Sequence, residues 1–193
     1  NLGKFKSKIA LIDSGHKQYS YKYILDKAKY INGKIKKGSL ILIIASNNVE
    51  SIIGYISFIR SNNTSILLDK SFKLDYVKKI ITKYRPNYIF TPKGYLDALE
   101  KVCKIMSWED YHLIKTNFKT HKKINKKNLL LLSTSGTTQN PKFVRLSNLN
   151  LQSNTSSIIN YLKINYRHTT ITTMPMAYSY GLSIINTHLT SGS

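Results

Sequence analysis

Residues 129–151 read LLLLSTSGTTQNPKFVRLSNLNL. The four leucines at 129–132 make an apolar run of the length of a buried strand, and it stops at Ser133-Thr134-Ser135-Gly136-Thr137-Thr138. The pattern predicts a strand opening into a hydroxyl-rich loop. After it, residues 143–147 read as a returning strand, and Ser147-Asn148 as the cap of a helix over about residues 149–162.

Gly136 can take backbone angles that a side chain forbids. Successive N–H groups can then turn into one concavity, a nest suited to an anion. Thr134, Ser135, Thr137 and Thr138 add hydroxyls, and Lys142 adds a mobile point charge suited to a phosphate that moves during reaction. A hydrogen bond to a charged group contributes about 1.5–3 kcal/mol, so three or four of them with Lys142 hold a nucleotide tail at about micromolar affinity. Gly136 and Lys142 have the separation of a Walker-type phosphate loop, G-x-x-x-x-G-K-[ST]. Pro141, however, stands where the second glycine belongs, and Phe143 where a magnesium-binding hydroxyl is needed, which excludes that motif. The plain alternative is a polar turn between two strands.

With those residues in place, the segment resembles the phosphate-loop signature of the adenylate-forming superfamily: acyl-CoA synthetases, peptide-synthetase adenylation domains and luciferases. Thr134, Ser135, Gly136, Thr137, Thr138, Pro141, Lys142 and Val144 match the pattern, while Gln139, Phe143 and Asn148 replace its usual glycine, glycine and histidine. The resemblance implies that Thr134, Ser135, Gly136, Thr137, Thr138 and Lys142 hold the β and γ phosphates of ATP, with Mg2+ as counterion. A second stretch, Met174-Pro175-Met176-Ala177-Tyr178-Ser179-Tyr180-Gly181-Leu182, reads as a strand end, a proline, two aromatics and a glycine before a helix. Such a turn can wall a pocket at the C-terminal edge of a sheet, or simply cover the core. Beside the signature it is similar to the family's P-x-x-H-x-x-G motif, with Tyr178 at the histidine or aromatic position and Gly181 at the glycine. The resemblance thus implies that Tyr178 and Gly181 border the acyl and adenylate pocket.

Upstream, apolar spacing alternates between the periods of strand and helix. Residues 8–13 (KIALID) read as a strand, Asp13 to His16 as a turn in which His16 is a surface residue, and Ser20 as the cap of a helix carrying Ile24, Ala28, Ile31 and Ile35, ended by Lys37-Gly38. Residues 39–45 (SLILIIA) form an uninterrupted apolar strand of the kind covered on both faces. Ser46-Asn47-Asn48 cap a helix over 49–60 with Ile52, Ile53, Ile56 and Ile59 as its inward stripe. A strand at 65–68, a helix through Leu74, Val77, Ile80, Ile81 and Tyr84, and a strand at 88–91 follow. A further helix over 95–104 would bury Cys103, residues 115–128 form a lysine-rich loop holding His121, and residues 169–174 form a strand behind an exposed Arg167 and His168. The fold expected is α/β: a mostly parallel sheet flanked by helices, with the helix–strand order also resembling the family's opening half.

Charge bears on partners. The net charge of +21 attracts polyanions, and a non-enzymatic basic module binding nucleic acid or anionic surfaces is the competing class. Of the 30 basic residues only Arg60, Arg85, Arg145 and Arg167 are arginine, and base and phosphate readers favour arginine, so specific nucleic-acid recognition is not expected. No apolar run reaches the roughly 20 residues of a membrane span, and with a lone cysteine the expectation is a cytoplasmic protein. All nine acids lie in residues 1–110, which leaves residues 111–193 with ten bases and no carboxylate. That asymmetry, with a first residue other than Met and an ending in Thr190-Ser191-Gly192-Ser193, leads us to expect residues 1–193 to be an incomplete N-terminal domain. By resemblance, the longer chain activates a small carboxylic acid with ATP and passes the acyl group to CoA or a phosphopantetheine carrier protein. No catalytic or metal-ligating residue is assigned within residues 1–193. The family's Thr-Glu pair, ribose-binding aspartate and late lysine would lie downstream.

Overall fold

The computed structural model describes residues 2–61, 63–95, 103–118, 129–133 and 142–193. A small antiparallel hairpin, β1 (Ile9–Ile12) and β2 (Gln18–Ser20), precedes the main sheet. Its turn is built by one carboxylate. Asp13 Oδ1 accepts from the Gly15 and Lys17 N–H groups, both at 2.9 Å, and Oδ2 accepts from the Tyr19 hydroxyl at 2.8 Å. His16 lies exposed in that turn at φ +61°. The Tyr19 hydroxyl first, and then the Lys17 N–H, hold the Asp13 carboxyl below its ordinary value of 3.8. Since the folded pKa is depressed, the turn's contribution is full above the unfolded value and is lost as pH falls through the folded one. Protection of the β1–β2 amides should therefore fall selectively in acid below about pH 4, and Asp13→Asn should remove that pH dependence in a hydrogen-exchange series.

Ser20 caps α1 (Tyr21–Asn32) by accepting from the Tyr23 N–H, as its sequence position suggests. The helix ends at Gly33 rather than at Lys37-Gly38, and Ile35 is buried just beyond it. Next come β3 (Leu40–Ala45), α2 (Val49–Ile59), β4 (Thr64–Asp69), α3 (Leu74–Tyr84) and β5 (Tyr88–Pro92), each within a residue or two of its expected place. The chain then departs from expectation. Most of the anticipated helix over 95–104 lies outside the described residues; at its ends stand a 3-10 turn at Lys93–Tyr95 and the start of a strand, β6 (Cys103–Trp108), in which Cys103 is exposed rather than buried. β6 turns at Glu109, whose φ is +50°, into β7 (Tyr111–Lys115). Pairing of β7 with β5 and of β6 with β7 extends the sheet edge, and that ladder holds Cys103 and Lys104 in a strand. The lysine-rich stretch 119–128 lies outside the described residues.

β8 (Leu130–Ser133) and β9 (Phe143–Leu146) complete a seven-stranded sheet of order β6-β7-β5-β3-β4-β8-β9. β5, β3, β4 and β8 run parallel, and antiparallel strands flank them on both sides, so the sheet is mixed. Ser147 then starts α4 (Asn148–Leu162) with a reciprocal capping box to Asn150, and α5 (Ser179–Ser191) closes the described chain. Residues 169–173 form no strand.

Every residue of β3 and β4 is buried, because helices cover both faces. Ile41, Ile43, Leu67 and Phe90 join a core with α1, α2 and α5, while Leu42, Ile44, Ile66 and Ile89 join one with Val77 and Ile80 of α3. α2 is buried nearly all round, well beyond its expected stripe: from Val49 to Phe58 only Glu50 escapes full burial.

Candidate functional site

Four parallel strands end at one edge of the sheet. Open α/β sheets bind ligands outside the carboxyl ends of their strands, where successive connections leave on opposite faces. Here β3 continues into α2 on one face and β4 into α3 on the other. At that edge lie residues 46–48 after β3, residues 70–72 after β4 and the exit of β8 at Ser133. Thr134, Ser135, Gly136, Thr137 and Thr138 fall outside the described residues. At their two ends, Ser133 closes β8 with its hydroxyl buried and without a hydrogen-bond partner among the described residues, and Lys142 stands exposed where the chain returns into β9. Phe143, which replaces the signature's usual glycine, packs its ring edge-on against Tyr84 of α3, with ring centres 5.2 Å apart. That contact anchors the strand beside Lys142 to the helix behind it.

Aromatic side chains line the end of β4. Phe72 and Tyr76 stack at 4.7 Å and 17°, and the Tyr95 hydroxyl donates to the carbonyls of Lys70 and Phe72. Asp69, at the last position of β4, is 7% exposed, and its Oδ1 accepts from the Ser71 N–H at 2.9 Å. Burial first, and then the neighbouring Tyr84 and Tyr178, raise the Tyr76 phenol. Beside β3 the buried Tyr111 hydroxyl bonds Ser51 Oγ at 2.6 Å and Ser46 Oγ at 3.2 Å, and donates to the Ile44 carbonyl at 3.1 Å. The edge hairpin is thereby pinned to the end of β3.

The second sequence motif sits at this same edge. Tyr178 is the residue before α5, and Gly181 is buried in the helix's first turn. A Cβ on Gly181 would stand 2.6 Å from the Met174 carbonyl oxygen and closer still to that of Pro175, so only glycine lets the helix approach so near. The segment leading to it is held by Asn47. Its Nδ2 donates to the carbonyls of Thr172 at 2.7 Å and Met174 at 2.8 Å, and its Oδ1 accepts from the Met176 N–H at 2.8 Å. No strand forms at the expected 169–174; there the Thr172 and Met174 carbonyls pair with this side chain. Asn47 was legible as one of two cap-forming asparagines. Asn48 does the capping, and the adjacent Asn47 is left to reach across the fold.

Arg167 and His168 are exposed, and His188 Nδ1 bonds the Ser193 hydroxyl at 2.7 Å, remote from Tyr178 along α5. A cavity of about 610 Å³ at the opposite end of the sheet is lined by Tyr55, Ile59, Arg60, Thr155, Asn186 and Leu189, among others. Among the described residues, no three His, Cys, Asp or Glu side chains are grouped to hold a metal ion, and no helix is long and apolar enough to cross a membrane.

The class defined by this arrangement is an α/β fold with a mixed sheet, in which the β8 exit and the Tyr178–Gly181 turn lie at the edge where open α/β sheets bind ligands. The sequence matches the family model described as "AMP-binding enzyme" over residues 1–193, and the chain belongs to that family. Apo MatB from Rhodopseudomonas palustris superposes with a TM-score of 0.81 at 17% identity, covering 97% of this chain and 41% of that one. O-succinylbenzoate coenzyme A synthetase (MenE) from Bacillus subtilis, in complex with ATP and magnesium ion, gives 0.73 at 17% identity, covering 99% and 55%. The same enzyme with its acyl-adenylate intermediate OSB-AMP gives 0.74 at 16% identity, covering 99% and 53%. This chain therefore spans about two fifths to just over half the length of those proteins. No curated protein sequence matches it significantly.

Proposed function

We propose that residues 1–193 form the incomplete N-terminal domain of an ATP-dependent ligase that activates a carboxylic acid. A carboxylate oxygen attacks the α-phosphorus of ATP, the bond to the β-phosphate oxygen breaks, and acyl-adenylate and pyrophosphate result. A thiol of CoA or of a phosphopantetheine carrier protein then displaces AMP to give a thioester. Thr134, Ser135, Gly136, Thr137, Thr138 and Lys142 hold the β and γ phosphates, and Tyr178 and Gly181 border the acyl group. The chemistry of such a site is orientation and charge stabilisation of the leaving pyrophosphate. Bound Mg2+ would neutralise phosphate charge. Residues 111–193 hold no carboxylate, so its protein ligand would come from elsewhere in the longer chain.

The observation that carries this reading is the convergence, at one sheet edge, of the β8 exit with its signature and the Asn47-held turn with Tyr178 and Gly181. ATP- and magnesium-bound MenE and ATP-bound MatB support ATP as the nucleotide. By contrast, several lysines are engaged with aromatic rings, among them Lys8, 3.7 Å over Tyr166, and Lys27, 5.1 Å from Trp108, which argues against a free basic binding face.

Calorimetric titration with Mg·ATP tests the reading. Lys142→Ala is expected to weaken binding about 10- to 100-fold, the equivalent of one charge-assisted contact. Without the downstream residues, the 193-residue chain should give no carboxylate-dependent ATP–pyrophosphate exchange. Unaltered ATP affinity in Lys142→Ala, together with salt-sensitive binding of random duplex DNA, would replace the proposal with the basic-module reading.

A further inference from the structure

We infer that Asn47 is a positioning residue for the acyl pocket, a side chain that sets where Tyr178 and Gly181 stand; this rests on the function proposed above. The carboxamide uses both kinds of group it possesses: two N–H donations to Thr172 and Met174, and one acceptance from Met176. These partners lie 125 to 129 residues away in sequence, on a segment with no regular structure of its own. One amide therefore does for residues 172–176 what a neighbouring strand would do.

The anchoring is transmitted in short covalent and hydrogen-bonded steps. The Met174 carbonyl that accepts from Asn47 is one of the two oxygens against which the Gly181 Cα packs. The other belongs to Pro175, and it accepts the Tyr178 N–H at 3.1 Å. Met176 and Ala177, between them, are fully buried and fix the turn to the core. The Tyr178 carbonyl then accepts the Leu182 N–H at 2.9 Å, which starts α5. Asn47 itself is immobilised by its location between the last residues of β3 and the cap Asn48, whose Oδ1 accepts the Ser51 N–H at 3.0 Å. The strand edge thus dictates, through one side chain, the height of the aromatic wall above it.

The donor and acceptor roles make the test selective. In the 193-residue chain, Asn47→Ala removes all three bonds, and amide exchange at Met176 is expected to accelerate about tenfold or more, as for an N–H that loses its acceptor, with Leu42 and Ile43 in the core unchanged. Asn47→Asp retains an oxygen for Met176 but offers a carboxylate to two carbonyls. It should keep Met176 protected and still shift the ring resonances of Tyr178. In the ligase that contains this chain, Asn47→Asp should raise KM for the carboxylic acid about tenfold, the cost of a misplaced pocket wall, and leave KM for ATP unchanged. Unchanged Met176 exchange in Asn47→Ala, or an unshifted Tyr178 in Asn47→Asp, overturns the inference, as does a KM for ATP that rises in step. If the wild-type ligase activates no carboxylic acid, the proposed function fails, and the exchange and resonance data still decide whether Asn47 positions the turn.

Discussion

Gly54→Ala should destabilise the chain by about 2 kcal/mol, although alanine is the better helix former by about 1 kcal/mol. Gly54 lies in the middle of α2, where the helix crosses the sheet, and an added Cβ would meet Phe90 Cδ1 at 2.7 Å, with Cε1 nearer still. A flexible side chain would swing clear. Phe90 has no such freedom: it is 0% exposed, with the Phe58 ring 5.6 Å away edge-on and the Tyr111 ring at 4.8 Å. Moving it would press on Tyr111, whose hydroxyl is tied to Ser46, Ser51 and Ile44 at the carboxyl end of β3. The overpacking penalty therefore outweighs the gain in propensity. Urea unfolding should show a lower midpoint at unchanged m-value. Phe90→Leu in the Gly54→Ala background should recover part of the loss, a coupling that a double-mutant cycle measures. An unshifted midpoint would mean that helix and sheet are not in the contact described.

The helices and central strands were legible because their signals are local. Apolar spacing, the caps at Ser20, Asn48 and Ser147, and the uninterrupted run at 40–45 depend on neighbours in sequence. What failed depended on distant partners. The burial expected of Cys103 gave way to an exposed place on β6, whose ladder with β7 rests on β5, and the threonine-rich 169–174 pairs with a side chain more than 120 residues upstream rather than with a strand. The site divides in the same way. Tyr178 and Gly181 stood out in a short window, and the structure places them at the start of α5, while the signature residues 134–138 lie outside the described residues. Asn47 did not stand out, since nothing local tells which of two adjacent asparagines caps the helix and which reaches outward. The aromatic floor of Phe72, Tyr76 and Tyr95 likewise forms only when the ends of β4 and β5 meet.

Gly181→Ala should cost more than Gly54→Ala, because the obstacle is main chain rather than a ring. The new methyl would be driven into the carbonyls of Met174 and Pro175, and neither can yield alone. Met174 O is fixed by Asn47, and Pro175 O is already the acceptor of the Tyr178 N–H. Relief requires the first turn of α5 to lift from the 174–176 segment, which would uncover Met176, Ala177 and Leu182, all now at most 2% exposed. Forfeiting that burial, with two or more hydrogen bonds, places the expected loss at about 3 kcal/mol or above. Tyr180→Ala provides the contrast. Its side chain is 66% exposed one residue away, and its removal should change stability by less than about 0.5 kcal/mol. If both variants unfold at the same denaturant concentration as the parent chain, the close approach at Gly181 is not what seats α5. If Gly181→Ala unfolds early while amide protection in β3 and β4 persists up to that transition, the damage begins at the turn, and the wall carrying Tyr178 is the part of the domain that glycine makes possible.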